Sequence, residues 1–253
     1  MSNRFPGRTV LVTGGGTGIG RAVAVAFAAE GAAVVVAGRS PGPLERTVEL
    51  VENGGGRAAA VTADVTRSGD VARLVEETVR RFGGLDIAVN NAGSIGATGP
   101  VGDVDEREWA ALLDVNVTGI LLSMKHEIAH MRTAGGGVIV NIASTLGAHR
   151  RARGLGAYVA TKAAVSALTR NAALDHTHEH IRINAVSPGP LDTPMSARPG
   201  ESTADRDARI AAQLPAGRVG SLDEVGAAVL YLASPAAAFH VGTDLVLDGG
   251  SAA

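Results

Sequence analysis

At 253 residues, 45% hydrophobic and with a formal net charge of −2, the chain is sized for one α/β domain, which excludes a disordered or fibrous class. Near-neutral charge without a basic cluster leaves no electrostatic footprint for nucleic acid. The apolar runs AVAVAFAA and AAVVVA, split by Glu30 and Gly31, are too short to span a bilayer. The opening MSNRFPGRTV lacks a leader-type apolar core, and the absence of cysteine excludes disulfide and thiolate chemistry and suits a reducing cytoplasm.

Along the chain, strand-like and helix-like stretches take turns. Short β-branched runs at 9–12, 34–36, 59–62, 87–89, 138–142, 181–186 and 245–247 predict strands. Most are apolar without alternation, as suits a parallel sheet buried on both faces. Helical periodicity fills 19–30, 43–53, 68–82, 105–133, 157–176 and 222–233. The repeated βαβα order predicts a Rossmann-type, doubly wound, seven-stranded parallel sheet with helices on both faces, in a single domain spanning 1–253. The least regular stretch, 191–220, is rich in Pro, Gly, Ser and Asp and has the length of a lid or binding loop.

Chemistry enters at the first strand. VLVTGGGTGIG runs from a strand into Gly14, Gly18 and Gly20 and then a helix of small residues. Bare backbone there lets a pyrophosphate approach a helix N-terminus, although a tight strand-to-helix junction needs the same glycines. The spacing is TGxxxGxG, not the GxGxxG of the general dinucleotide fingerprint. Further along, Tyr158 precedes Lys162 by four residues in a chain with two tyrosines and two lysines, which places both on one helix face. The pair is either a surface tyrosine beside a solvated lysine or a proton-transfer couple. In a closed pocket at about 4 Å, an effective dielectric near 20 would favour the phenolate by about 4 kcal/mol. That is about three pKa units, enough to bring a phenol from about 10 towards about 7.

Eight segments in order resemble the classical short-chain dehydrogenases/reductases: TGGGTGIG at 13–20, ADV at 63–65, NNAG at 90–93, NVTG at 116–119, VNIAS ending at Ser144, YVATK at 158–162, PGPLDT at 188–193 and DGG at 248–250. The resemblance covers essentially the whole chain. It implies Tyr158 as general acid/base, Lys162 as the group that lowers its pKa and binds the nicotinamide ribose, and Ser144 as the donor that polarises the substrate oxygen. Thr145 directly follows, and the step to Tyr158 is slightly long, so which hydroxyl acts stays open. Asn116 is implied to interrupt the long helix and hold a water that links Lys162 to solvent.

The same resemblance implies a cofactor cradle. Gly14, Thr17, Gly18, Ile19 and Gly20 would take the pyrophosphate end, Asp64 and Val65 the adenine, Asn90, Asn91, Ala92 and Gly93 the ribose, and Pro188, Gly189, Leu191 and Thr193 the carboxamide. Cofactor choice rests on VVVAGRS. Gly38 offers no carboxylate for a ribose diol, whereas Arg39 and Ser40 suit a 2′-phosphate. The expectation is NADP, with NAD the alternative because residue 17 is Thr where many NADP relatives carry a basic side chain.

Other conspicuous residues have plain readings. DHTHEH (175–180) is read as a solvated helix end and not a metal site, and Trp109 as a packing anchor. HRRARG (149–154) is either a greeting surface for an anionic group or a solvated loop. Ile95, Leu146, His149 and Met195 are expected to line the substrate pocket. The predicted activity is interconversion of a ketone and a secondary alcohol on a small molecule, without nucleic-acid or membrane partners. A 3-oxoacyl (carrier-protein or CoA) reductase and a catalytically idle nucleotide-binding scaffold are the alternatives. The resemblance also implies a homotetramer, with a homodimer as the smaller option.

Overall fold

The computed structural model describes residues 3–193, 196 and 200–253. Seven strands, β1 (Thr9–Thr13), β2 (Ala33–Gly38), β3 (Arg57–Thr62), β4 (Ile87–Asn90), β5 (Gly137–Ile142), β6 (Ile181–Pro188) and β7 (Asp244–Leu247), form one sheet in the order β3-β2-β1-β4-β5-β6-β7. Every pairing is parallel. From β1 the chain winds outward through β2 and β3, then returns to start β4 on the other side of β1. The switch in direction opens a crevice above the carboxy ends of β1 and β4, where Thr13 and Asn90 stand in register.

Each strand feeds both faces because successive side chains point opposite ways. Val10, Val12, Val34 and Val36 pack beneath α1 (Gly18–Ala29), α2 (Pro41–Asn53) and α9 (Leu222–Ala233). Leu11, Val35, Ile139 and Ile183 pack beneath α3 (Ser68–Phe82), α5 (Gly119–Ala134) and α7 (Gly156–His176), the short α6 (Thr145–Ala148) lying between β5 and α7. Two apolar layers around one sheet explain the continuous apolar strands of the sequence.

The long helical stretch predicted for 105–133 is divided. Asp105 caps α4 (Glu106–Leu113) by accepting from the N–H groups of Arg107 and Glu108, and a wide π turn, Asp114–Thr118, then joins α4 to α5. Asn116 lies in that turn, in the kind of helix irregularity that recurs at functional sites. The stretch 191–220 is not wholly irregular. It contains α8 (Thr203–Ala211), whose cap Ser202 accepts from Asp205 N–H. The signal was there in the STAD sequence, a serine followed three residues later by an acid.

Phe27, fully buried on α1 and edge-on to Phe5 with ring centroids 5.1 Å apart, anchors the first of these layers. Phe27→Ala should lower stability by about 3–5 kcal/mol, read as a drop in the chemical-denaturation midpoint.

Candidate active site

The glycine turn is shaped by backbone contact. Gly14 and Gly18 take φ of +65° and +50°, values that L side chains rarely adopt. A Cβ on Gly20 would run into the Gly14 carbonyl oxygen. Asn91 locks the turn across the crevice. Its Nδ2 donates to the carbonyls of Thr13 (3.0 Å) and Gly14 (3.2 Å), and its backbone N–H donates to Thr13 Oγ1 (3.0 Å). Thr17 begins α1 without a side-chain cap bond, leaving first-turn N–H groups and the positive helix end facing the crevice.

Two adjoining cavities share Gly93 and Ser94. One, about 450 Å³, is lined by Gly14, Gly38, Arg39, Asp64, Val65 and Ala92 among others. Asp64 accepts from the Thr66 N–H at 3.0 Å and hydroxyl at 2.8 Å. The backbone bond first, then the hydroxyl and the nearby Arg39, hold its carboxyl below the usual range against the opposing effect of burial. The other cavity, about 490 Å³, is walled by Ile19, Asn91, Ser144, Tyr158, Lys162, Pro188, Gly189, Leu191 and Thr193, with Ile95 and Leu146 on its outer side. Together they offer a polar side with Arg39 and Asp64, bare backbone at Gly93 between, and a side with Ser144, Tyr158 and Lys162, an arrangement that could hold a dinucleotide. Thr17, Gly18, Gly20 and Ser40 line neither cavity, but they build the turns beside them. A larger hollow of about 900 Å³ lies at the amino ends of β1, β4, β5 and β6, lined by Thr9, Asp86, Gly137 and His180, at the opposite end of the strands from these cavities.

The candidate reacting groups are buried. Tyr158 is 8% and Lys162 5% exposed. Lys162 Nζ donates to the Ile142 carbonyl, the last of β5, at 2.8 Å. Burial pushes its ammonium down to about 8. It also raises the Tyr158 phenol above its ordinary value, which a hydrogen bond with the Ser144 hydroxyl partly offsets. This corrects the expected depression towards 7. Nζ sits 6.0 Å from the Tyr158 ring centroid and serves a carbonyl, so desolvation governs both groups. Between the two candidate hydroxyls, Ser144 meets Tyr158, whereas Thr145 Oγ1 donates to the Pro188 carbonyl at 3.3 Å.

Asn116 lines neither cavity. Its Oδ1 accepts from Ser94 N–H (2.9 Å), and its Nδ2 donates to the Ser94 carbonyl (2.8 Å) and Thr161 Oγ1 (3.1 Å). It braces the end of β4 against α7. Asn90, expected at the ribose, is fully buried instead and donates to Glu127 Oε2 (2.9 Å) and Asn141 Oδ1 (3.1 Å). Strand alternation turns its side chain under the sheet and leaves only Asn91 at the crevice. His149 is also drawn away from the cavity. Its Nε2 meets Asp244 Oδ2 at 3.0 Å, beside Ser166 (2.7 Å), because a carboxylate this buried requires partners. Met195 lies outside the described residues. In the DHTHEH segment, His176 and Arg132 both bind Glu179 at the end of α7, the helix-end reading made above.

The comparisons with known proteins match this geometry. Residues 14–252 fit a family model described as enoyl-(acyl carrier protein) reductase. The cis-4-hydroxycyclohexanecarboxylate dehydrogenase of Sinomonas cyclohexanicum is 40% identical, covering 99% of this chain and 98% of its own. A short-chain type dehydrogenase/reductase from Mycobacterium marinum superposes with a TM-score of 0.88 at 34% identity, over 98% and 96% of the two chains. The chain belongs to the short-chain dehydrogenase/reductase family. Another solved member, a 7α-hydroxysteroid dehydrogenase complexed with NADH and a 7-oxo bile acid, superposes with a TM-score of 0.90 at 30% identity, covering 98% and 96%. This short-chain dehydrogenase/reductase is thus an oxidoreductase of the secondary-alcohol type, and its family uses a nicotinamide dinucleotide. No helix among the described residues is long and apolar enough to cross a membrane.

Sequence reasoning missed several parts of this short-chain dehydrogenase/reductase site. Ala152, Leu155, Ile210 and Leu214 join the outer wall, and only the folding of α8 over the crevice brings the last two there. Beneath the site, Asn141 Nδ2 donates to Thr169 Oγ1 (2.9 Å), completing a polar chain from Glu127 through Asn90 to α7. Burial pushes the Glu127 carboxyl up to about 7, against the Asn90 bond that lowers it. A carboxyl whose folded pKa lies above its unfolded 4.5 contributes stability that is fully present at low pH. That contribution is lost as pH rises to about 7, in total about 3 kcal/mol. Glu127→Gln should therefore shrink the fall in melting temperature between pH 4.5 and 7.5, measured by thermal denaturation across that range.

Proposed function

We propose that this enzyme interconverts a ketone and a secondary alcohol with NADP as cofactor, using Ser144, Tyr158 and Lys162 as its reacting set and Asn116 as their brace. The observation that carries the reading is the meeting of the Ser144 hydroxyl and the Tyr158 phenol at one point beside buried Lys162, in the wall of the groove. Two neighbouring hydroxyls that can both donate suit a carbonyl oxygen, with its two lone pairs, better than an isolated carbon–carbon double bond. A nicotinamide held in the groove would supply hydride to, or take it from, the carbonyl carbon. Ser144 stabilises the charge that develops on oxygen, and Tyr158 delivers the proton that completes the alcohol. In the oxidative direction Tyr158 receives that proton, and the Lys162 ammonium offsets the phenolate charge. Because burial resists both charges, the positive side chain and the anionic oxygen are favoured together more than either alone.

The NADP assignment rests on Gly38 closing β2 without a carboxylate and on Arg39 standing at the adenosine-side cavity. The guanidinium suits a 2′-phosphate, and the ionised Asp64 suits the adenine amine as acceptor. A 3-oxoacyl thioester is the second reading for the substrate, favoured by the acyl-carrier wording of the family match. For the assembly we infer a cytoplasmic homotetramer, supported by exposed Leu121 on α5 and Leu174 on α7, 49% and 75% accessible. Light scattering on the eluting protein measures that state.

Consumption of NADPH at 340 nm with a panel of cyclic and acyclic ketones tests the function, and a scaffold would show none. Tyr158→Phe should lower kcat by about 10²–10⁴-fold while leaving cofactor binding by fluorescence within a few-fold; wild-type turnover in that variant rejects the assignment. Arg39→Ala should raise the KM for NADPH by about 10- to 100-fold, the loss of one charge-assisted contact, with little change for NADH. A wild-type preference for NADH rejects NADP.

A further inference from the structure

The loop joining Ser144 to Tyr158 is clamped to the site. Arg150 N–H donates to the Thr145 carbonyl at 2.7 Å, and Gly147 N–H donates to the Arg150 carbonyl at 3.2 Å. Gly147 packs so closely on α7 that an added Cβ would lie 3.0 Å from the Lys162 carbonyl carbon. Arg150 and Arg151 are thereby held at the wall of the cavity that contains Tyr158.

Their charge is uncompensated. The Arg151 guanidinium donates to the carbonyls of Gly147 and Arg150, and Arg150 has no side-chain partner among the described residues. Neighbouring arginines differ. Arg206 pairs with Asp192 and Asp207, Arg218 with Glu224, and Arg209, the third guanidinium on this cavity, with Glu201 through two bonds of 2.6 and 2.7 Å. No Asp or Glu among the described residues lines the cavity. Ile95, Ile210 and Leu214 add apolar surface to the same cavity. Unpaired cationic charge on half-buried Arg150 and exposed Arg151, in a cavity also lined by apolar side chains, favours a ligand with a hydrocarbon body and an anionic end.

We propose that the substrate is a keto acid and its hydroxy acid, with the carboxylate held by Arg150 and Arg151 while the carbonyl faces Tyr158. The proposal rests on the carbonyl-reduction reading of the same cavity. The probes are 3-oxo- and 4-oxocyclohexane-1-carboxylate, each compared with its methyl ester, and acetoacetyl-CoA. At low ionic strength at least one acid should exceed its ester in kcat/KM by about 10- to 100-fold, chiefly through KM. That ratio should fall towards one in Arg150→Ala/Arg151→Ala and recover in part in Arg150→Lys/Arg151→Lys, with melting temperature and cofactor binding recorded for each variant. Equal use of acid and ester by the wild type, or a ratio the double variant leaves intact, overturns the proposal while ketone reduction stands. Preference for acetoacetyl-CoA over every keto acid, lost in the same variants, moves the anion to a phosphate and overturns the carboxylate. No turnover of any ketone or thioester sinks the carbonyl reading itself, and the proposal with it.

Discussion

A lysine ammonium taken out of water organises this molecule. Lys162 is almost wholly enclosed, and the Ile142 carbonyl at 2.8 Å is the partner that makes its burial tolerable. That bond ties the second turn of α7 to the end of β5. Tyr158, one turn earlier, is thereby aimed into the crevice, and Ser144, two residues beyond Ile142, is brought within reach of the phenol. The placing of these side chains follows from compensating one buried charge, with Tyr158 and Lys162 on the rigid α7 and Ser144 two residues past the end of β5.

The same economy of polar contacts extends beneath the site. Asn141 lies one residue before Ile142 and Asn90 one before Asn91, so the network of Glu127, Asn90, Asn141 and Thr169 sits directly under the two strand ends that carry the chemistry. Asn116 repeats the arrangement at the mouth, linking the chain after β4 to α7 through Ser94 and Thr161. Polar groups buried in a low-dielectric interior are costly unless paired, and pairing fixes their position. Rigidity around Ser144, Tyr158 and Lys162 is the consequence.

Charge is divided along the groove. At the far end Arg39 and an ionised Asp64 share one cavity; in the middle lie bare backbone and a helix N-terminus; at the near end Arg150 and Arg151 line the same cavity as the buried tyrosine. The family relation accounts for the middle, which every dinucleotide needs. The charged side chains at the two ends, Arg39 with Asp64 and Arg150 with Arg151, are what the proposed choice of cofactor and substrate draws on.

The sequence by itself determined the sheet and most of the cleft. Continuous apolar strands separated by amphipathic helices admit only a covered parallel sheet, and glycines, a YxxxK step and a strand ending in Ser144 are local signals that survive in one dimension. Tertiary structure decided what depends on neighbours remote in the chain. Whether Asn90 faced the crevice or the core followed from which face of β4 its side chain took. His149 was claimed by Asp244, 95 positions away, and Ile210 and Leu214 reached the pocket only because α8 folds over it. The direction of the Tyr158 shift likewise came from desolvation, which depends on everything packed around a group and is written in no short segment. Local conformation is a property of residues near in sequence, whereas burial and pairing are properties of residues near in space, and only folding turns one into the other.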